Sequence, residues 1–393
     1  VRSASSLARE EVKRLKPCVH GGEVWDVVNK TGLSREDVLD FSSNVNPLGP
    51  SQKAIESIKS NFGRISFYPD PDSTTLREAI AHRFKRISKW NVVVGNGSTE
   101  LIYLFADVFM DKGDVALIPA PTFSEYERAA KKAGAKTQHI KLSQSFQVEP
   151  PSFMREMRGA KVAFLCNPNN PTSILMSRTN LTEIIEKALE ENALVFLDED
   201  FMEFVDEEKR FSLVGEIERY PNLFVLRSFT KFFGLTGLRV GYGIASEEII
   251  KILSATKTPW NVNCLAQVAA VAALDDEKHS NRTSALVKGE KAFLARELSG
   301  ISVFKVYPAD ANFFFIDIRQ SGFTAAQLKE KLLKYGVLIR DCSSFRGIDE
   351  YYVRVAVKTR SENEKLLEAL KKILGKGEDT SKKVEFGRKT CLQ

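Results

Sequence analysis

Leu223-Phe-Val-Leu-Arg-Ser228-Phe-Thr-Lys231-Phe-Phe-Gly-Leu-Thr-Gly-Leu-Arg239-Val-Gly-Tyr242 is the stretch from which the rest of this 393-residue chain is read. It opens with an apolar run, Leu223–Arg227, that reads as a buried strand, and it closes in a second, Arg239–Ile244. Between them a lysine sits just past a strand end, with a serine three residues before it and an arginine eight after it. Such an amine can condense with an aldehyde, while the hydroxyl and guanidinium hold a phosphate beside it. The glycines at 234, 237 and 241 permit tight turns and close backbone approach. Alone, Ser-x-x-Lys is ordinarily a surface lysine in a loop, so the neighbours decide.

Upstream, Ala193-Leu-Val-Phe-Leu197-Asp198-Glu199-Asp200 ends another buried strand on a carboxylate. Ligands of open α/β sheets bind outside the carboxyl ends of the strands. Asp198 is thus placed to pair with a protonated heterocyclic nitrogen, a helix N-cap being the alternative use. Leu165-Cys-Asn167-Pro-Asn-Asn170-Pro171-Thr172 leaves a strand through two Asn-Pro steps, which force an extended, turn-rich exit. That exit can present Asn170 as a donor to a phenolic oxygen. Val94-Gly-Asn-Gly97-Ser98-Thr99-Glu100 puts glycine-freed amides and two hydroxyls at a helix start, a ready anion site.

Further strands read at Asn91–Val94, Val115–Ile118 and Lys161–Cys166, with helical patterns at Ser98–Phe109, Ser124–Ala133 and Asn180–Glu190. This alternation predicts an α/β fold, a largely parallel sheet covered on both faces. After about residue 275 the pattern changes to a long charged helix (Glu277–Leu298), short strands (Val303–Tyr307, Asn312–Asp317, Tyr352–Val357) and a last helix (Ser361–Leu374). The expected organisation is an N-terminal arm over 1–45, a large domain over 46–275, a small α+β domain over 276–375 and a flexible tail over 376–393.

Composition excludes more than it names. The net charge of +6 comes with no basic block, so no nucleic-acid partner is expected. Five cysteines without a CxxC pair argue against a disulfide scaffold or zinc ribbon. Only four histidines occur, with no HExxH, so no metal is expected. There is no GxSxG elbow, and Gly241-x-Gly243 lacks a third glycine opening a helix. No apolar run approaches the ~20 residues of a membrane span, and the charged N-terminus lacks a signal-peptide core. Cys391 stands third from the end, where a prenylation box needs it fourth. The expectation is a soluble, cytoplasmic enzyme.

Together, Gly97-Ser98-Thr99, Asn170-Pro171, Asp198, Ser228-x-x-Lys231 and Arg239 resemble the fold-type I aminotransferases that depend on pyridoxal 5′-phosphate, in order and spacing from about residue 40 to residue 370. The resemblance implies a three-layer sandwich around a mostly parallel seven-stranded sheet. It implies Lys231 as the lysine that holds the cofactor and shuttles the proton, and Asp198 on the pyridine nitrogen. It places Asn170 on the ring oxygen and Ser98, Thr99, Ser228 and Arg239 around the phosphate. Phe123 is similar to the aromatic that stacks on the ring, with Tyr126 as the alternative. Tyr68, in Phe67-Tyr68-Pro69-Asp70-Pro71, is similar to the tyrosine that reaches a neighbouring subunit's cofactor phosphate, which requires a homodimer with shared sites. Two positions depart from the pattern: Ser173 stands where the family has glycine, and Phe201 where it commonly has a tyrosine bonded to the ring oxygen.

Within the superfamily the chain most resembles the histidinol-phosphate aminotransferase branch, which includes L-threonine O-3-phosphate decarboxylase of cobalamin biosynthesis. His20-Gly21-Gly22, Asp40-Phe41-Ser42-Ser43-Asn44-Val45-Asn46-Pro47-Leu48-Gly49 and Phe201 are similar to the decarboxylase. Decarboxylation of a small phosphorylated amino acid is therefore the first expectation and transamination the second. His20, Asn46, Arg340 and Arg354 are the candidate substrate residues. The two arginines stay unassigned between phosphate and carboxylate, since a guanidinium grips either bidentately.

Overall fold

Apolar strands that rarely alternate with polar residues need cover on both faces, and the sheet they form has it. In the computed structural model, which describes residues 3–378, seven strands share one sheet. They are β1 (Val92–Gly95), β2 (Val115–Ala120), β3 (Lys136–Lys141), β4 (Val162–Cys166), β5 (Leu194–Asp198), β6 (Leu223–Ser228) and β7 (Gly241–Ala245). Their order is β1-β7-β6-β5-β4-β2-β3. Neighbours run parallel except at β7, which is antiparallel to both β6 and β1.

Successive side chains of one strand feed opposite cores. Phe196 and Phe224 pack with Phe105 of α2 (Ser98–Phe109, following α1, Thr74–Phe84) and with Ala129 of α3 (Glu125–Ala133). Val195, Leu197 and Val225 pack on the other face with Ile80 of α1, Ile184 of α4 (Arg178–Glu190) and Ala269 of α5 (Cys264–Leu274). The edge strand β3, Lys-Thr-Gln-His-Ile-Lys, has no fully buried residue. Pairing on one side only lets a strand stay polar, so it shows no apolar run to read.

A second, antiparallel sheet has the order β10-β11-β9-β8, from β8 (Lys305–Val306), β9 (Phe313–Asp317), β10 (Arg340–Asp341) and β11 (Tyr352–Ala356). Phe314, Ile316, Val353 and Val355 form its core with Leu294 of α6 (Glu277–Ser299) and Leu366 and Leu370 of α7 (Arg360–Glu378). The N-terminal segment docks here. Leu39–Asp40 pairs with Val337–Leu338, Phe41 is fully buried, and Val24 and Val27 pack on Leu338. Helix α7 continues to Glu378, past residue 376, at which the tail was expected to begin. Residues 379–393, with Cys391, lie outside the described residues. Among the described residues no helix is long and apolar enough to cross a membrane.

Candidate functional site

The carboxyl ends of β4, β5 and β6 and the start of α2 surround one cavity of about 270 Å³. Its walls include Thr99, Phe123, Asn170, Phe201, Lys231 and Arg239 from the large sheet's loops. Arg340 and Arg354 enter from β10 and β11, and His20, Ser42 and Asn44 from the N-terminal segment. Candidate residues spread over more than 330 positions of sequence thus meet at one place.

Asp198 ends β5 and is 5% exposed. Tyr126 donates its hydroxyl to Asp198 Oδ2 at 2.5 Å, and the Asp200 amide donates to Oδ1. Burial and the charge of Asp200 push the Asp198 carboxyl up to about 7. Lys231 is pushed the other way: burial lowers its ammonium, against the pull of Asp200 and Asp198 and with the charges of Arg354 and Arg239 adding. Each carboxylate or amine here is less comfortable charged than it would be in water.

Arg239 takes a left-handed backbone (φ 56°) and donates to the Thr236 carbonyl. A Cβ on Gly97 (φ 82°) would lie 2.4 Å from Arg239 Nη2, and one on Gly241 would lie 2.6 Å from the Ser98 nitrogen. Both glycines are therefore required, because they let the guanidinium and the helix N-terminus converge. Ser228 is fully buried and shares a 2.6 Å hydrogen bond with Thr230, a hydroxyl the sequence pattern did not single out.

Arg354 is 5% exposed; it donates to Asn170 Oδ1 and to the Ser42 carbonyl, while its Nε has no partner. Arg340 donates to the carbonyls of His20 (2.9 Å) and Val19 (2.7 Å) and to Ser344 Oγ. The two arginines are directly opposite each other in the β10–β11 ladder. Neither takes part in an ion pair among the described residues.

One expectation changes. Asn46 is not among the walls: its amide nitrogen donates to the Phe232 carbonyl and Thr283 Oγ1, and its oxygen accepts from the Leu48 amide. Its hydrogen-bonding capacity is spent on folding. Asn44, two residues earlier, lines the cavity with a buried, unpartnered Oδ1. Of the two aromatics, Phe123 lines the cavity, whereas Tyr126 is fully buried, stacks on Phe164 and holds Asp198. Tyr68 lies outside this cavity, 81% exposed against Trp260.

A family model for aminotransferase class I and II matches residues 36–370. The chain belongs to that family. A histidinol-phosphate aminotransferase of Symbiobacterium thermophilum is 36% identical over 372 residues, covering 95% of this chain and all of the relative. The crystal structure of the histidinol-phosphate aminotransferase of Clostridium acetobutylicum is 32% identical with a TM-score of 0.81, covering 86% of this chain and all of that one. That of L-threonine-O-3-phosphate decarboxylase from Porphyromonas gingivalis is 29% identical with a TM-score of 0.76, covering 85% and 99%.

The cofactor of a class I and II aminotransferase is pyridoxal 5′-phosphate, and the residues here fit it. Arg239, the amides at Ser98 and Thr99 and the Ser228 and Thr230 hydroxyls would hold its phosphate. Asp198, destabilised as a buried anion, gains what it lacks from a protonated pyridine nitrogen. Phe123 would cover the ring, Lys231 would meet the aldehyde, and Asn170, its oxygen occupied by Arg354, would offer its amide hydrogens to the ring oxygen. When bound, the cofactor supplies an electron-withdrawing ring that stabilises negative charge at the substrate's Cα.

Proposed function

We propose that this enzyme decarboxylates L-threonine O-3-phosphate to (R)-1-amino-2-propanol O-2-phosphate, as a homodimer in which Tyr68 of one protomer completes the phosphate site of the other. The observation that carries an anionic substrate is the opposition of Arg340 and Arg354. Like charges directly across a ladder repel, and a buried charge without a counter-ion is costly. A substrate phosphate, with close to two negative charges and three free acceptor oxygens, can relieve both arginines at once and leaves the carboxylate ungripped.

The bond that breaks at Cα is the one held upright to the ring, since only that bond overlaps the π system. Anchoring therefore selects the reaction: gripping the phosphate leaves the carboxylate free to stand upright and depart as CO2. Two features favour that outcome. The His20-Gly21 arm is built into the cavity, for a Cβ on Gly21 would lie 2.2 Å from the Ser42 carbonyl oxygen. Phe201 gives the ring oxygen no hydroxyl and packs edge-on to Phe313. After CO2 leaves, Lys231 is the group that returns a proton to Cα.

The names of the S. thermophilum and C. acetobutylicum relatives favour a second reading, transamination of histidinol phosphate. The two separate in one experiment. Holoenzyme with L-threonine O-3-phosphate and no keto acid releases CO2 under the first reading. Under the second it releases none and instead consumes histidinol phosphate only when 2-oxoglutarate is added.

A further inference from the structure

One buried carboxylate near the cavity touches neither the cofactor pocket nor the two arginines. Glu125 opens α3 and is 2% exposed. Its Oε1 lies 2.8 Å from His20 Nε2, a contact spanning 105 positions of sequence. Its Oε2 accepts from the Tyr103 hydroxyl, and the Cys18 thiol is a further donor. Arg128, one turn along α3, stands 3.7 Å from Oε2 and also donates to Tyr103. Burial alone would raise the Glu125 carboxyl, but the bonds from His20, Tyr103 and Cys18 overcome it and hold it down to about 2. The group is an anion with every donor around it arranged to keep it so.

The two partners differ in rigidity. Glu125 sits on a helix whose Ala129 and Ala130 are fully buried against the sheet. His20 sits in an irregular segment, residues 15–22, whose own bonds to the body include those from Arg340 to the Val19 and His20 carbonyls. An acceptor on a fixed helix can therefore set the orientation of a ring on an arm that has no regular structure of its own.

We infer that Glu125 is a positioning residue that holds His20 with Nε2–H directed at its carboxylate, leaving Nδ1 as the ring nitrogen that donates to the phosphate of the substrate. The chemistry is that of a carboxylate–imidazole pair: the hydrogen bond at one nitrogen decides what the other can do. An anionic acceptor requires hydrogen on Nε2, and Nδ1 donates as well only in the doubly protonated ring. Glu125 would thus confer selectivity for phosphate-bearing substrates without touching them. The inference rests on the decarboxylase reading above and takes His20, one of its candidate substrate residues, as a partner of the substrate phosphate.

A double-mutant cycle on the holoenzyme tests it, with Glu125→Gln, His20→Ala and the double variant. The probes are L-threonine O-3-phosphate turnover and, separately, binding of inorganic phosphate by calorimetry. Each single variant is expected to raise KM and the phosphate Kd about tenfold with kcat within about twofold. The double variant is expected to match His20→Ala rather than multiply the two effects. Multiplicative effects, or a Glu125→Gln defect in kcat alone, would overturn the inference. Phosphate binding needs no turnover, so failure of the decarboxylase reading (no CO2) stays distinct from failure of this one. Should Glu125→Gln not fold, imidazole 15N spectra of the wild-type enzyme decide. Only four histidines must be assigned, and a His20 ring without hydrogen on Nε2 would equally overturn it.

Discussion

Arg354 donates through Nη1 to the side-chain oxygen of Asn170, so one guanidinium both fixes the orientation of the Asn170 amide and faces the cavity. The residue proposed to anchor the substrate and the residue proposed to meet the cofactor are therefore mechanically joined. Burial lowers the Arg354 guanidinium to about 10, with the charge of Arg340 adding to that shift, which marks how little compensation it has before an anion arrives.

Arg354→Ala should lower kcat/KM by roughly 10²–10³-fold, the cost of removing one partner of a buried charged contact. It should also change the cofactor's absorbance, because Asn170 loses its orienting bond. Arg354→Lys should recover little, since an ammonium cannot reach Asn170 and the Ser42 carbonyl together. Steady-state kinetics with spectra of each variant check both points; an unaltered spectrum would dissociate the two roles.

Arg340→Ala should free the N-terminal arm, which loses hydrogen bonds at the Val19 and His20 carbonyls. Limited proteolysis should cut within residues 15–22 faster than in the wild type, and KM should rise with the cofactor retained. Equal cleavage rates would mean that other contacts hold the arm.

Gly21→Ala should displace the same arm by a different route. Its Cβ would lie 2.2 Å from the Ser42 oxygen and 3.3 Å from Arg354 Nη2. The expected outcome is intact folding by thermal denaturation, normal cofactor content and a KM raised at least about tenfold.

Asp198 gives a pH signature in the cofactor-free protein. Its folded-state value, about 7, lies above the ordinary carboxylate value, so between about pH 4 and pH 7 the folded state holds more protons than the unfolded one. Stability is then lost as the pH rises through that window. Differential scanning calorimetry of apo-enzyme should show Tm falling from about pH 5 to pH 8, and Asp198→Asn should flatten that slope while abolishing tight cofactor binding. A slope of the opposite sign would contradict the assignment.

Phe201→Tyr returns the hydroxyl common at this position to a ring 6.0 Å from the Lys231 amine. Cofactor binding should persist, while the ratio of CO2 release to abortive amino transfer should shift towards transfer. An unchanged ratio would show that the ring at 201 only fills space beside Phe313.

Much of the architecture was legible because the reading depended on local chemistry. The helix Ser98–Phe109 and the strands ending at Cys166, Asp198 and Ser228 follow from apolar runs and the residues that stop them. The edge strand β3 was not legible, since half-exposed polar residues carry no strand period. Ser173 is instructive in another way. Its φ of 65° explains why the family prefers glycine there, and its hydroxyl accepts from the Ala311 amide, a bond that glycine cannot offer.

The apolar runs determined, without coordinates, the α/β class, because each specifies its own strand; the cofactor and the lysine and aspartate expected to serve it followed from the resemblance that the motifs at the ends of those runs carry. Which of two near neighbours faces the cavity was decided only in three dimensions. Asn44 rather than Asn46, and Phe123 rather than Tyr126, depend on what lies across from them. The pairing of Arg340 with Arg354 and of His20 with Glu125 likewise exists only once distant segments meet. The physical reason is the same in each case. Apolar period is a property of one segment, whereas the fate of a polar side chain depends on the partner that the rest of the fold brings to it.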